Sequence, residues 1–159
     1  MLEIIKSQNG PVLSLIFKGV IEENSQIEDQ IGPLPTSVKE IAINTRAVSR
    51  INSGGVKLWI KYFSAVTKSG INLILQECSP TVVQQINFIS NFACGGKIES
   101  ILLPFTCNQC KNEMDVLMIT AQFNHQEPKP MTCPKCGGSA VFDDIASEYF
   151  LFLSRARKK

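Results

Sequence analysis

Histidine is almost missing from this sequence: His125 stands alone, in the polar stretch Asn-His-Gln-Glu-Pro-Lys-Pro. No His–carboxylate pair and no activated nucleophile with a neighbouring base can be assembled from its motifs, so a non-catalytic protein is expected. Charge of one sign is also scarce. Sixteen Lys and Arg against fourteen Asp and Glu leave a net charge of +2, too little to indicate a nucleic-acid partner by bulk charge. No run approaches the ~18 apolar residues that read as a membrane-crossing helix, so no membrane partner is expected. Glu3 interrupts the short apolar run at residues 1–6, which reads as a strand rather than a signal peptide, and the cytoplasm is the expected location. No P-loop lysine follows Gly54-Gly55 at the required spacing, and no small-molecule substrate is implied.

Apolar residues are plentiful, at 44%, which suits one domain with a core and a small appendage. Residues 2–6 and 12–20 are strand-like runs around Asn9-Gly10-Pro11, a hairpin connection. The acidic residues 21–31 suggest a short helix, ended by Gly32-Pro33-Leu34-Pro35. Residues 39–44 predict a buried strand. From Gly54 a helix follows, with Val56, Trp59, Ile60 and Phe63 on its inner face and Asn52 or Ser53 as its cap. Residues 71–77 predict another strand, and Ser79-Pro80 opens a helix with Val82, Ile86, Ile89 and Ala93 along one side. Gly95-Gly96 stops it, and residues 98–103 predict one more strand before Pro104. Alternating strands and helices after a hairpin imply an α/β fold with a mixed sheet and helices packed on it.

The strongest chemical signal is Cys-Asn-Gln-Cys with Cys-Pro-Lys-Cys: Cys107, Cys110, Cys133 and Cys136, paired two residues apart with twenty-two between the pairs. Each tight turn aims two thiolates at one ion, and two turns complete a tetrahedron, as in a structural zinc site. A four-thiolate set also suits iron. Strand-like residues 114–123 and 139–142 make residues 106–142 a zinc ribbon. All four ligands come from protein, so the metal is expected to be structural. Cys78 and Cys94 stand alone near helix ends and read as buried thiols. Residues 143–159 predict a C-terminal helix capped by Asp143 or Asp144, with Ile145, Ala146, Tyr149, Phe150, Phe152 and Leu153 apolar. Arg155, Arg157, Lys158 and Lys159 then complement its dipole.

The hairpin, the strand Lys-Glu-Ile-Ala-Ile-Asn, the loop leading to Asn-Ser-Gly-Gly, the helix Val-Lys-Leu-Trp-Ile-Lys-Tyr-Phe, the next strand and Ser-Pro together resemble the STAS domain of anti-sigma-factor antagonists. The resemblance covers about residues 1–103 and makes 1–105 a STAS-like domain, with 106–142 as a ribbon and 143–159 as a helix returning to that domain. It implies a regulatory module that binds a protein partner, an anti-sigma factor or related kinase. The family carries Asp-Ser-Ser-Gly or similar at this loop, and the serine before the glycine is phosphorylated. Aligning the apolar helix positions puts Asn52 under the aspartate, Ser53 under the first serine and Gly54 under the phosphorylated one, with Gly55 under the glycine. A slip of one residue makes Ser53 the phosphosite, but places Val56 where the family has a small residue and Lys57 at a core-facing position.

In that family the loop and the following helix form the partner surface. Here Arg46, Arg50, Lys57, Lys61 and Lys68, with Ser64 between the lysines, give a basic stripe suited to an acidic partner. The same residues also read as a solvated face, and Asn-Ser-Gly-Gly as turn and cap chemistry with no further role. The alternative is a ribbon that binds nucleic acid or transcription machinery. Against it, Lys111, Lys129 and Lys135 are balanced by Glu113, Asp115 and Glu127, with no arginine in residues 106–142.

Overall fold

The computed structural model of the chain describes residues 1–157. Strands β1 (Glu3–Asn9) and β2 (Val12–Ile21) form an antiparallel hairpin, and β3 (Glu40–Ile51), β4 (Asn72–Gln76) and β5 (Lys97–Ile98) follow in parallel. The sheet runs in chain order, β1-β2-β3-β4-β5. Each parallel step needs a crossover, and each crossover carries a helix: α1 (Ile27–Ile31), α2 (Ser53–Lys68) and α3 (Pro80–Phe88). Register puts Leu13, Ile41 and Leu73 side by side, and Leu15, Ile43 and Leu75 two residues on, all buried. Trp59 on α2 lies fully buried beneath them. It meets Phe17 edge-on at 5.5 Å, stacks on Phe92 at 5.0 Å, and donates its indole N–H to the Phe92 carbonyl.

Three elements depart from the sequence reading. Residues 45–51, expected as a loop, extend β3 along the second half of β2. Thr45, Val48 and Ile51 turn inward there, while two register shifts hide the alternation behind Arg46, Ser49 and Arg50. Helix α3 stops at Phe88 rather than continuing to Ala93, with Ile89 already extended. The irregular turn that follows delivers Phe92 to Trp59. The strand before the ribbon runs straight through Pro104, as β6 (Ser100–Cys107).

Strand β6 joins a second, antiparallel sheet with β7 (Glu113–Ile119), β8 (Met131–Thr132) and β9 (Ser139–Phe142), in the order β7-β6-β9-β8. Pro104 has no N–H, and β9 pairs only with Phe105, Thr106 and Cys107. The Pro104 carbonyl takes the Asp143 N–H where that ladder ends. At its other end β6 meets the chain just past β4: Cys78 N–H donates to the Ser100 carbonyl and Leu102 N–H to the Cys78 carbonyl. The strand passes unbroken through residues 105 and 106, so no linker separates the small zinc-ribbon-like region from the α/β body.

The C-terminal helix is two pieces, α4 (Ala146–Tyr149) and α5 (Leu151–Arg157), broken at Phe150. Neither aspartate caps it; Ile145 occupies the N-cap, and Asp144 accepts the adjacent Ile145 N–H. Asn87 of α3 holds both pieces, donating to the Tyr149 carbonyl and accepting the Phe152 N–H, each at 2.9 Å. Tyr149 donates its hydroxyl to the Leu102 carbonyl, and Phe150 stacks on Phe142. The segment thus packs against α3 and against the second sheet. The dipole complement assigned to Arg155, Arg157, Lys158 and Lys159 lies outside the residues whose side chains are described.

Candidate metal centre and docking surface

The four ribbon cysteines come together, with their sulfurs all within 4.8 Å of one another. Cys107 ends β6, and Cys133 follows β8, so each pair sits on a strand end that turns back. The two turns share a geometry. Lys111 N–H donates to the Cys107 carbonyl and Gly137 N–H to the Cys133 carbonyl, and both residues have left-handed φ, +65° and +79°. Glycine also matters at 138, where a Cβ would lie 2.5 Å from the Gln109 side chain of the facing turn. Asn108 N–H to the Ser139 carbonyl fastens the first turn to β9.

Amide N–H groups point at the sulfurs. Gln109 and Cys110 donate to Cys107 Sγ, Lys135 to Cys133 Sγ and Gly138 to Cys136 Sγ, at 3.3 to 3.4 Å. Such donors favour thiolate over thiol. The Cys110 N–H foremost holds the Cys107 thiol down, to about 6. At Cys133 burial opposes ionisation, but the Cys136 and Lys135 N–H groups outweigh it and the thiol is lowered. Gly138 N–H favours the Cys136 thiolate too, yet the neighbouring cysteines overcome it and push that thiol up to about 12. Four adjacent thiolates need a cation between them.

The spacing fits one. Cys107 and Cys136 sulfurs are 3.4 Å apart and Cys110 and Cys133 sulfurs 3.7 Å. A tetrahedron with metal–sulfur bonds of about 2.3 Å has edges of about 3.8 Å, whereas a disulfide needs about 2.05 Å. All six cysteines are free thiols. The set can hold a metal ion with no coordination position left open. Of the other two cysteines, Cys78 is pushed up to about 12 by burial, and Cys94 is raised by burial as well. His125 is exposed against Phe123 and is not among the clustered ligands.

The Asn-Ser-Gly-Gly quartet opens α2 and is packed on both sides. Asn52 is the N-cap: its Oδ1 accepts the Gly55 N–H and its Nδ2 donates to Glu23 Oε2, each at 2.8 Å. A Cβ on Gly55 would lie 2.3 Å from the Ile21 carbonyl oxygen, and one on Gly54 would lie 2.6 Å from Glu23 Cβ. The chain leaving β2 therefore crosses directly over the start of α2. Glu23's own backbone N–H, then Asn52, hold its carboxyl below the ordinary value, so a negative charge already faces this helix end. Ser53 is exposed at the first helical position.

The expected basic stripe is only partly available. Arg46 pairs with Glu77 at 2.6 Å, and the Asn44 amide binds the same carboxylate. Ser64 is half-buried on the side of α2 that faces Cys94. Arg50, Lys57, Lys61 and Lys68 are exposed, and among the described residues Arg46–Glu77 is the one ion pair, so these four have no ionic partner there. Sequence reading missed Glu23 and Glu77, which lie 29 and 31 residues from the groups they hold, and no local pattern marks them. No family model matches this chain, and no curated protein matches it.

Proposed function

We propose that this chain is a non-catalytic, cytoplasmic regulatory module of the STAS, anti-sigma-factor-antagonist type, docking an acidic protein partner through α2, with a structural zinc in its ribbon. The observation that carries the docking is Lys57, Lys61 and Lys68, exposed along one face of α2 and without ionic partners among the described residues. Unpaired cations on a rigid helix meet an acidic surface without first breaking a contact of their own. Arg46 takes less part, since Glu77 holds it.

Docking here does not require phosphate on Ser53. The Glu23 carboxylate already faces the α2 N-terminus, where a phosphate would add like charge. In the ribbon, Cys107, Cys110, Cys133 and Cys136 hold the zinc and supply folding free energy to a region whose buried apolar side chains, the cysteines aside, are Ala140 and Phe142. Six cysteines, four of them clustered as metal ligands, suit a reducing compartment.

Two measurements test this. Tagged wild-type protein and a K57E/K61E/K68E variant are purified from the native cells, with phosphorylation read at Ser49, Ser53 and Ser64. A specific signalling partner present with the wild type, lost with the variant, and an unmodified Ser53 are expected. RNA polymerase or ribosomal components retained by both forms would overturn docking through α2 and point to the ribbon. Metal analysis should give one zinc per chain without the visible absorption of thiolate-bound iron.

A further inference from the structure

Between α1 and α2 runs an open groove of about 760 Å³, unrelated to the cysteines. Leu34, Leu58, Tyr62 and Val66 give it an apolar floor. Its walls differ in charge. The α1 wall presents Glu28 and Asp29, both exposed, with Glu23 ahead of them in the chain, and the α2 wall presents Lys61, which stands in line with Lys57 and Lys68 outside the lining. None of these has an ionic partner among the described residues. The Tyr62 hydroxyl in the lining is shielded from solvent and has no hydrogen-bond partner there either.

On the α2 side the lining runs from Leu58 to the C-cap Ser69, about 16 Å at ~1.5 Å per residue, or three turns. The α2 wall is the interior of a long helix, whose backbone groups are paired within it, and the opposite wall is one helical turn followed by Pro33, which has no N–H, so a strand laid in the groove would find no continuous ladder to join. An occupant must be recognised by side chains and satisfy its own backbone. We infer that this groove seats an amphipathic helix of the partner protein, apolar residues down, acidic residues toward α2 and basic residues toward α1. The inference rests on the docking reading above and specifies how the partner engages α2.

The test uses the full chain, isotope-labelled, and three synthetic helical peptides with the same leucine ridge. One carries Glu on one flank and Lys on the other, one Glu on both flanks, and one Lys on both. The mixed peptide is expected to bind at least about tenfold more tightly than either single-sign peptide, because each of those sets one flank against a wall of its own sign. Its amide shifts should map to Leu58, Tyr62, Ala65 and Val66. Ala65 lines the groove and is exposed, so Ala65→Trp fills the groove without disturbing the core and should abolish binding. Ala65→Arg serves as a second block.

Equal or tighter binding of the all-Glu peptide would overturn the inference, since the α1 wall would then contribute nothing, while leaving lysine-stripe docking intact. Absence of binding by all three, or binding indifferent to both Ala65 variants, would overturn it as well. The docking reading fails separately, when K57E/K61E/K68E recovers the same proteins as the wild type.

Discussion

Restoring the serine that the resemblance places at position 54 should damage the fold unless Glu23 is also removed. In Gly54→Ser the new Cβ would lie 2.6 Å from Glu23 Cβ, 2.8 Å from Glu23 Oε2 and 3.3 Å from Glu23 Cα. Relieving the Cβ contact takes a shift approaching 1 Å, and overpacking of this kind costs about 1–3 kcal/mol. Serine in a helix recovers roughly 0.5 kcal/mol relative to glycine, so a net loss of about 0.5–2.5 kcal/mol is expected. Truncating Glu23 to alanine leaves its Cβ in place, so the relieving change is Glu23→Gly. Denaturant midpoints of the four members of the Gly54→Ser, Glu23→Gly cycle measure the coupling. Gly54→Ser should destabilise the wild type and leave Glu23→Gly nearly unaffected. A serine equally tolerated in both backgrounds would refute the close crossing of β2 over α2 as the reason for glycine at 54.

Chelating the ribbon metal should lower the unfolding midpoint reported by Trp59 fluorescence, because β6 carries Cys107 and also bridges to Cys78, two residues past β4 of the first sheet. A Trp59 midpoint that stays put while β7–β9 lose structure would show that the two sheets melt independently. Asn87→Ala leaves the Phe152 N–H and Tyr149 carbonyl without their partner, at about 2–4 kcal/mol for the pair, and should raise amide exchange across residues 146–154 first. Glu23 has a folded pKa lowered from 4.5, so its contribution to stability is present above that value and lost as the pH falls through the folded one. Glu23→Gln should therefore show a flatter acid limb below pH 4.5, and an unchanged limb would remove Glu23 from the helix end.

What was legible in the sequence is what closes within a few residues. The cysteine pairs declare themselves because one turn spans each, and the inner face of α2 because Val56, Trp59 and Phe63 repeat at helical spacing. The end of α3 was not legible, since the reason to stop lies in Phe92 stacking on a tryptophan 33 residues earlier. Nor was the reach of β3, because its bulges shift Val48 and Ile51 out of strict alternation. The quartet shows the limit most sharply. Its residue types announce a cap and a turn, and Asn52 does cap α2. The need for two consecutive glycines, however, comes from Ile21 and Glu23, which the strand order brings across the helix start. The same crossing brings the Glu23 carboxylate to a helix end where an anion would otherwise be welcome. A glycine at 54 and an acid at 23 are thus one structural feature, and any change that turns this loop into a phosphate-bearing one has to alter both.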